Sequence, residues 1–220
     1  MQTIKIGATN WEVSNVALGI MRMGTLPVAE AVKTLQAAHE AGINFIDSAD
    51  IYGRDPKLGR GSSEIHFGQA LKQSGLHRDD FYIQSKGGLF ADETGRITRY
   101  DSSKKHLLAA VDGILKRMGI DYLDSFLIHR PDPLMDPEEV AETFDELQKA
   151  GKVRHFGVSN FNPQQIELLQ QACSQRLLID QLQFSIMHTG MIDFGLHTNM
   201  TDQASLNHDG DCWNTRGASK

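Results

Sequence analysis

Only two cysteines, Cys173 and Cys212, occur among 220 residues. They can form at most one disulfide, which suits a reducing, cytoplasmic compartment. Long apolar runs are also missing: nothing approaches the roughly 18 residues that a membrane-crossing helix needs. The start, Met1-Gln2-Thr3-Ile4-Lys5, carries no apolar stretch ending in a cleavage site, so secretion is not expected. Basic charge is not in excess. The 22 Lys and Arg against 28 Asp and Glu leave a net charge of −6, without the overall electrostatic footprint of a nucleic-acid binder. Nine histidines are scattered without metal-ligand spacing, so no metal is expected. The stretch Gly53 to Gly61 is glycine-rich but lacks Gly-Lys-Ser/Thr. It is no phosphate loop and reads as a mobile surface loop.

What is present is an ordinary globular balance, 40% hydrophobic and 23% charged, which excludes disorder. Short β-branched or aromatic runs alternate with amphipathic stretches. Strands are expected at Val16–Ile20, Asn44–Ser48, Phe81–Ser85, Leu123–Ile128, Val153–Val158 and Leu178–Gln183. Between them, helices are expected from Pro27 to Ala41, from an N-cap at Ser63, from about Ser102 to Met118, from about Asp136 with Pro137 at its first position to Ala150, and after Asn162-Pro163. The strands recur about every 33 residues, a normal βα unit, and predict a parallel α/β sheet with right-handed crossovers. Thr3–Ile6 and Trp11–Val13, joined by the polar turn Gly7-Ala8-Thr9-Asn10, read as a hairpin in front of that sheet. One domain over 1–220 is expected: hairpin 1–15, six βα units 16–185, and an irregular tail 186–220.

In parallel α/β folds, functional groups collect at the carboxyl ends of the strands. Strand two ends in Asp47, with Tyr52 five residues on; strand three ends in Lys86, strand four in His129 and strand five in Ser159-Asn160, while strand six carries Gln181. Each has a bland reading alone: Asp47 as a turn residue, Tyr52 as a packed aromatic, His129 as a core histidine, Ser159-Asn160 as a helix cap. Complementary ionisable groups on three consecutive strands make those readings hard to hold together. A phenol has a pKa of about 10, and a nearby ammonium lowers it. A carboxylate keeps that ammonium charged, and a neutral imidazole orients a substrate oxygen. Such a set can protonate an oxygen as charge develops on it, which suits carbonyl reduction.

The stretches Gly42-Ile43-Asn44-Phe45-Ile46-Asp47 through Tyr52-Gly53, Gln84-Ser85-Lys86, Leu127-Ile128-His129-Arg130-Pro131-Asp132 and Gly151-Lys152-Val153-Arg154-His155-Phe156-Gly157-Val158-Ser159-Asn160-Phe161 resemble the aldo-keto reductase family, most closely its bacterial oxidoreductase-like branch. That resemblance, over roughly residues 1 to 208, implies a (β/α)₈ TIM-type barrel behind an N-terminal hairpin, with NADPH across its carboxyl-end face. It implies Tyr52 as general acid, Lys86 and Asp47 tuning it, and His129 orienting an aldehyde or ketone. Ser159, Asn160 and Gln181 would hold the nicotinamide carboxamide, with Gly19, Ile20, Met21 and Asp47 lining ring and ribose. A small-molecule carbonyl compound is the partner this implies, with no nucleic acid and no membrane. The alternative is a non-catalytic nicotinamide-binding regulatory protein or an inactive fragment.

Eight such units need on the order of 275 residues, since full barrels typically have about 250 or more. The chain is therefore expected to be an incomplete barrel of six units, a truncated or frameshifted product whose family pattern fails near Asp211. Open edges at strands one and six are then expected to lower stability and favour self-association.

Overall fold

The structure, a computed structural model, describes residues 1–193 apart from positions 8, 93, 95 and 188. Cys212 and the tail beyond 193, including the expected failure near Asp211, lie outside the described residues. The chain opens with the antiparallel hairpin β1 (Thr3–Lys5) and β2 (Glu12–Ser14), Ile4 facing Val13. Next come β3 (Leu18–Gly19), α1 (Val28–Glu40) and β4 (Phe45–Asp47), then a two-stranded ribbon of β5 (Arg54–Asp55) and β6 (Gly59–Arg60), and α2 (Ser62–Ser74). A second ribbon, β8 (Leu89–Ala91) with β9 (Ile97–Tyr100), separates β7 (Tyr82–Gly87) from α3 (Lys104–Met118). β10 (Leu123–Ile128), α4 (Pro137–Lys149), β11 (Val153–Ser159), α5 (Pro163–Ala172), β12 (Leu177–Gln181) and the one-turn α6 (Gly190–Asp193) follow.

β3, β4, β7, β10, β11 and β12 lie side by side in chain order in one sheet, every pairing parallel. This is the α/β, TIM-barrel-like arrangement, incomplete at six strands. Among the described residues β3 and β12 each pair on one side only.

Local chemistry explains why the helices begin where they do. Asp136 accepts hydrogen bonds from the backbone N–H groups of Glu138 and Glu139 (3.0 and 3.2 Å), with Pro137 opening α4. Asn162 and Gln165 exchange side-chain-to-backbone bonds of 2.7 and 3.0 Å, closing a capping box at α5. Ser103, one residue after the expected start, caps α3 by accepting from His106 N–H. Ser63 is not an N-cap: Gly61 holds that position with no side-chain bond, and Ser62 and Ser63 lie within the first turn, where their hydroxyls serve other loops.

The core lies between the helices and the outer face of the sheet. Strand periodicity sends Phe126 and Ile128 of β10, and Phe156 and Val158 of β11, toward Leu107, Val111, Ile114, Phe144 and Leu147 of the helices, all fully or nearly fully buried. Phe144 stacks on Phe156 at 4.1 Å between ring centroids. The hairpin closes the opposite end of the sheet from the site. Trp11 packs on Tyr82 and His155 at the starts of β7 and β11, and Asn44 exchanges bonds of 2.7 and 3.1 Å with Ser14. The glycine-rich stretch 53–61 is a hairpin ribbon, not an unstructured loop, because the Asp55 carboxylate ties down the N–H groups of Lys57 and Leu58 at its turn.

Candidate active site

The period of two along each strand decides which groups face the barrel interior. Asp47 ends β4, and Gln84 and Lys86 share the inner face of β7, as do Ser125 and Leu127 on β10, beyond which comes His129. The Lys86 ammonium, on a side chain 1% exposed, donates to Asp47 Oδ1 at 2.7 Å and to the Ser48 carbonyl. Gln84 Nε2 donates to the same Asp47 oxygen at 2.7 Å and is itself held by the Ser125 hydroxyl at 3.2 Å. Tyr52 follows β4 in a turn in which its N–H donates to the Ala49 carbonyl. Its ring centroid lies 5.2 Å from Lys86 Nζ and 5.7 Å from the His129 ring, which it meets edge to face. The structure thus brings Asp47, Tyr52, Lys86 and His129 together. Their roles are addressed below.

Burial pushes the Lys86 ammonium below its ordinary value, and the Asp47 charge opposes that. Burial, with help from Lys86 and Arg130, holds the His129 imidazole down at about 3, so it is neutral at physiological pH. The expected depression of the Tyr52 phenol is not what this geometry produces. Burial first, and then the Asp47 charge, push it up to about 12, because the ammonium is spent on Asp47 and meets the ring face rather than the hydroxyl.

Ser159 and Asn160 sit at the end of β11. The Ser159 hydroxyl donates to the Gln181 carbonyl at 2.9 Å; Asn160 Nδ2 donates to Ser159 Oγ at 2.9 Å and to the His129 carbonyl at 3.3 Å. Asn160 has φ 62°, the left-handed region in which Asn is one of the few tolerated residues. Gln181 Oε1 is buried without a hydrogen-bond partner among the described residues. Gly19 lies open at the surface end of β3, and Met21 is half exposed at the mouth of the cavity. Ile20 is different: it lies in the core at 1% exposure, with its N–H bonded to the Asp47 carbonyl.

Several residues that hold the site in place carry no signal strong enough to single them out. On the outer face, Ser48 and Ser85 flank Asp47 and Lys86 in sequence, and both donate to Oε1 of the fully buried Glu64 on α2 (3.4 and 2.8 Å). Glu64 Oε2 takes a 2.7 Å bond from Arg117 of α3. The Ser63 hydroxyl donates to the Met21 carbonyl (2.8 Å) and Ser62 accepts from Asp55 N–H (3.0 Å), so the start of α2 fixes both loops beside Tyr52. Gly53 must be glycine. Its φ is +84°, and a Cβ there would come within 2.4 Å of Ser63 N. The strand alternation that selects Lys86 also selects Gln84 two residues earlier, a signal that could have found it.

Asp50 is the other carboxyl that acts on Tyr52 electrostatically. Burial and the Glu64 carboxylate raise its pKa from 3.8 to about 7, with Arg117 and Arg60 opposing, and its Oδ1 is enclosed without a partner. Between those two values the native carboxyl holds a proton that the unfolded one has released. Stability is therefore expected to fall as pH rises from about 4 to 7 and to level off above. Asp50→Asn is expected to flatten that slope and gain at least about 1 kcal/mol at pH 8, as one pKa unit is worth about 1.4. Denaturant melts at pH 5 and pH 8 check this; equal slopes in the two proteins would show that Asp50 does not titrate there.

A cavity of about 460 Å³ opens above Tyr52 and His129, walled by Met21, Leu89, Ala91 and Ile97 together with arginines of the first ribbon and its neighbours. Both ribbons thus line the site, joined by a hydrogen bond from Arg54 to the Thr94 carbonyl. Among the described residues no helix is long and apolar enough to cross a membrane, and no His, Cys, Asp and Glu cluster could hold a metal.

Comparison with known proteins agrees with this geometry. The profile of the Aldo/keto reductase family matches residues 15–201. A 6-dehydroglucose reductase of Novosphingobium aromaticivorans is 36% identical over 91% of this chain and 66% of its own length. The oxidoreductase YdhF of Escherichia coli is 36% identical over 87% of this chain and 64% of its own. The chain therefore spans just under two thirds of the length of these curated relatives. A solved thermostable aldo-keto reductase, crystallised with the inhibitor epalrestat, superposes with a TM-score of 0.71 at 28% identity, over 87% of this chain and 65% of that one. With a family match over most of its length, and a parallel sheet whose strand ends gather Asp47, Tyr52, Lys86 and His129, this chain belongs to the aldo/keto reductase family.

Proposed function

We propose that the protein is an oxidoreductase that reduces an aldehyde or ketone to an alcohol with a nicotinamide cofactor, NADPH by the resemblance. One observation carries this: Tyr52 meets Lys86 and His129 within 6 Å of ring centroid, over a cavity of small-molecule size, in a chain of this family.

The residues present fit the cofactor. Gln181 Oε1, buried and lacking a donor, offers the acceptor that a carboxamide N–H takes, beside Ser159 and Asn160 at the end of β11. A nicotinamide held there would be the source of the hydride. The chain's own part is the proton. Tyr52, protonated at every physiological pH, donates its hydroxyl proton to the carbonyl oxygen as negative charge builds there, since an alkoxide is the stronger base. The Lys86 ammonium, held by Asp47 with Gln84 on the same oxygen and 5.2 Å from the Tyr52 ring centroid, offsets the phenolate charge through space and not by a bond to its oxygen. Neutral His129 donates a hydrogen bond to the same oxygen without adding charge beside Lys86.

The test is direct: loss of NADPH absorbance on adding a generic aldehyde such as butanal, with NADPH binding measured in parallel. Turnover supports the proposal. Binding without turnover supports the regulatory reading, and no binding supports an inactive fragment.

A polypeptide of this sequence on its own is also expected to self-associate, because β3 and β12, each paired on one side only among the described residues, offer N–H and C=O groups to another strand. Sedimentation velocity from 1 to 100 µM checks this; one concentration-independent monomer with a cooperative melt would refute it.

A further inference from the structure

The arginines around the cavity are not used by the proton chemistry above. The chain as a whole is acidic, at −6. Yet the wall above Tyr52 and His129 carries Arg22, Arg54, Arg60 and Arg130, with Asp92 as the one carboxylate among the lining residues. Elsewhere the arginines near buried acids are committed. Arg78 and Arg154 pair with Asp124, and Arg117 with Glu64. Among the described residues no carboxylate lies within ion-pair distance of Arg22, Arg54 or Arg60. His129 is neutral, so it neither adds to this field nor competes for an anion.

These guanidinium groups come from fixed places. Arg22 starts the 3₁₀ turn Met23–Thr25, whose Gly24 N–H is held by the Ser63 hydroxyl. Arg54 and Arg60 face each other across the ribbon of β5 and β6, as register partners. Planar, permanently charged guanidinium groups on short turns suit carboxylate and phosphate oxygens, and a low-dielectric wall behind them focuses the field.

We propose that the substrate is a carbonyl compound bearing a second, anionic group, a carboxylate or phosphate, which Arg22 and Arg60 grip while the carbonyl meets Tyr52. This deepens, and rests on, the reductase reading above; the site of anion capture is separable from turnover by binding measurements. Neutral aldehydes of the same size gain nothing from the exposed guanidinium groups of Arg22 and Arg60.

The experiment uses the full chain and matched pairs: succinic semialdehyde against butanal, and D-glyceraldehyde 3-phosphate against D-glyceraldehyde. The anionic member of at least one pair is expected to have a kcat/KM at least roughly tenfold higher, an advantage that shrinks with added salt. Which pair shows it tells carboxylate from phosphate. In Arg60→Gln the anionic-to-neutral ratio is expected to fall about tenfold, and further in the Arg22→Gln/Arg60→Gln double variant. Calorimetry with 4-hydroxybutanoate and glycerol 3-phosphate, against glycerol, reads anion capture without turnover. Arginine-dependent anion binding with no reduction of any aldehyde supports the anion site alone, and overturns both the reductase reading and the claim that the bound anion is a reducible substrate. Equal kcat/KM within both pairs, unaffected by the substitutions, overturns it with the reductase reading intact. A rise in the NADPH Kd in Arg60→Gln with an unchanged substrate ratio assigns the arginines to a cofactor phosphate, and overturns it too.

Discussion

Tyr52→Phe is expected to cut carbonyl reduction by about 10²–10⁴-fold, the range typical for loss of a positioned acid, while NADPH affinity and melting temperature stay within experimental error. The substitution deletes one oxygen and keeps the ring, so the edge-to-face contact with His129 and the ring's contact with Lys86 survive. Among the described residues the hydroxyl has no hydrogen bond to lose. If the loss falls on kcat/KM and kcat equally, the interaction removed is one made in the transition state. Because the phenol is pushed up to about 12, its own ionisation produces no inflection in the profile between pH 6 and 9. An inflection near 7 belongs to Asp50 and is expected to vanish in Asp50→Asn. Full activity in Tyr52→Phe would mean that the proton comes from another group, and the proposed chemistry would have to be abandoned.

The largest effect on stability is expected at Glu64. Glu64→Ala leaves the Arg117 guanidinium without its carboxylate and two buried serine hydroxyls without an acceptor. Breaking a buried pair by removing one partner costs about 3–5 kcal/mol, which for a chain of this size lowers Tm by roughly 6–20 °C. Glu64→Gln retains an oxygen for Ser48 and Ser85 and is expected to lose less. It also removes the charge that helps to raise the Asp50 pKa, so its stability should depend less on pH between 4 and 7. Thermal melts of both variants at pH 5 and pH 8 check these outcomes together. A melt for Glu64→Ala indistinguishable from the parent would show that the Glu64–Arg117 pair does not hold α2 and α3 to the ends of β4 and β7.

How much was legible along the chain varied with the range of the interaction involved. β10 was expected and found at Leu123–Ile128, since the apolar Phe126-Leu127-Ile128 run, flanked by turn residues, is a local signal. The starts of α4 and α5 follow from Asp136-Pro137 and Asn162-Pro163, where cap and first turn are neighbours in sequence. The two ribbons were not foreseen. Arg54-Asp55 with Gly59-Arg60, and Leu89–Ala91 with Ile97–Tyr100, are too short and polar to alternate visibly, and their pairing depends on turns that only the folded chain fixes. Ser63 was misread as a cap because nothing local reveals that its hydroxyl is taken by Met21, 42 residues away.

Within the candidate site the same division holds. Asp47, Tyr52, Lys86 and His129 could be picked out because each is a chemically costly residue at the end of an apolar strand or just past it, and strand ends are where a parallel fold gathers its loops. Periodicity of apolar and polar residues, a property of the chain alone, therefore decided the class of fold and which end of the sheet would carry chemistry. Tertiary structure alone decided the state of those groups. It set the Lys86 ammonium on Asp47 rather than on the phenol and lifted the Tyr52 and Asp50 pKa values. It buried Glu64 beneath them and drew arginines from separate loops around one cavity. Burial and charge proximity act through space, between residues that the sequence keeps tens of positions apart, and only the packing of the sheet against its helices and ribbons brings them within range.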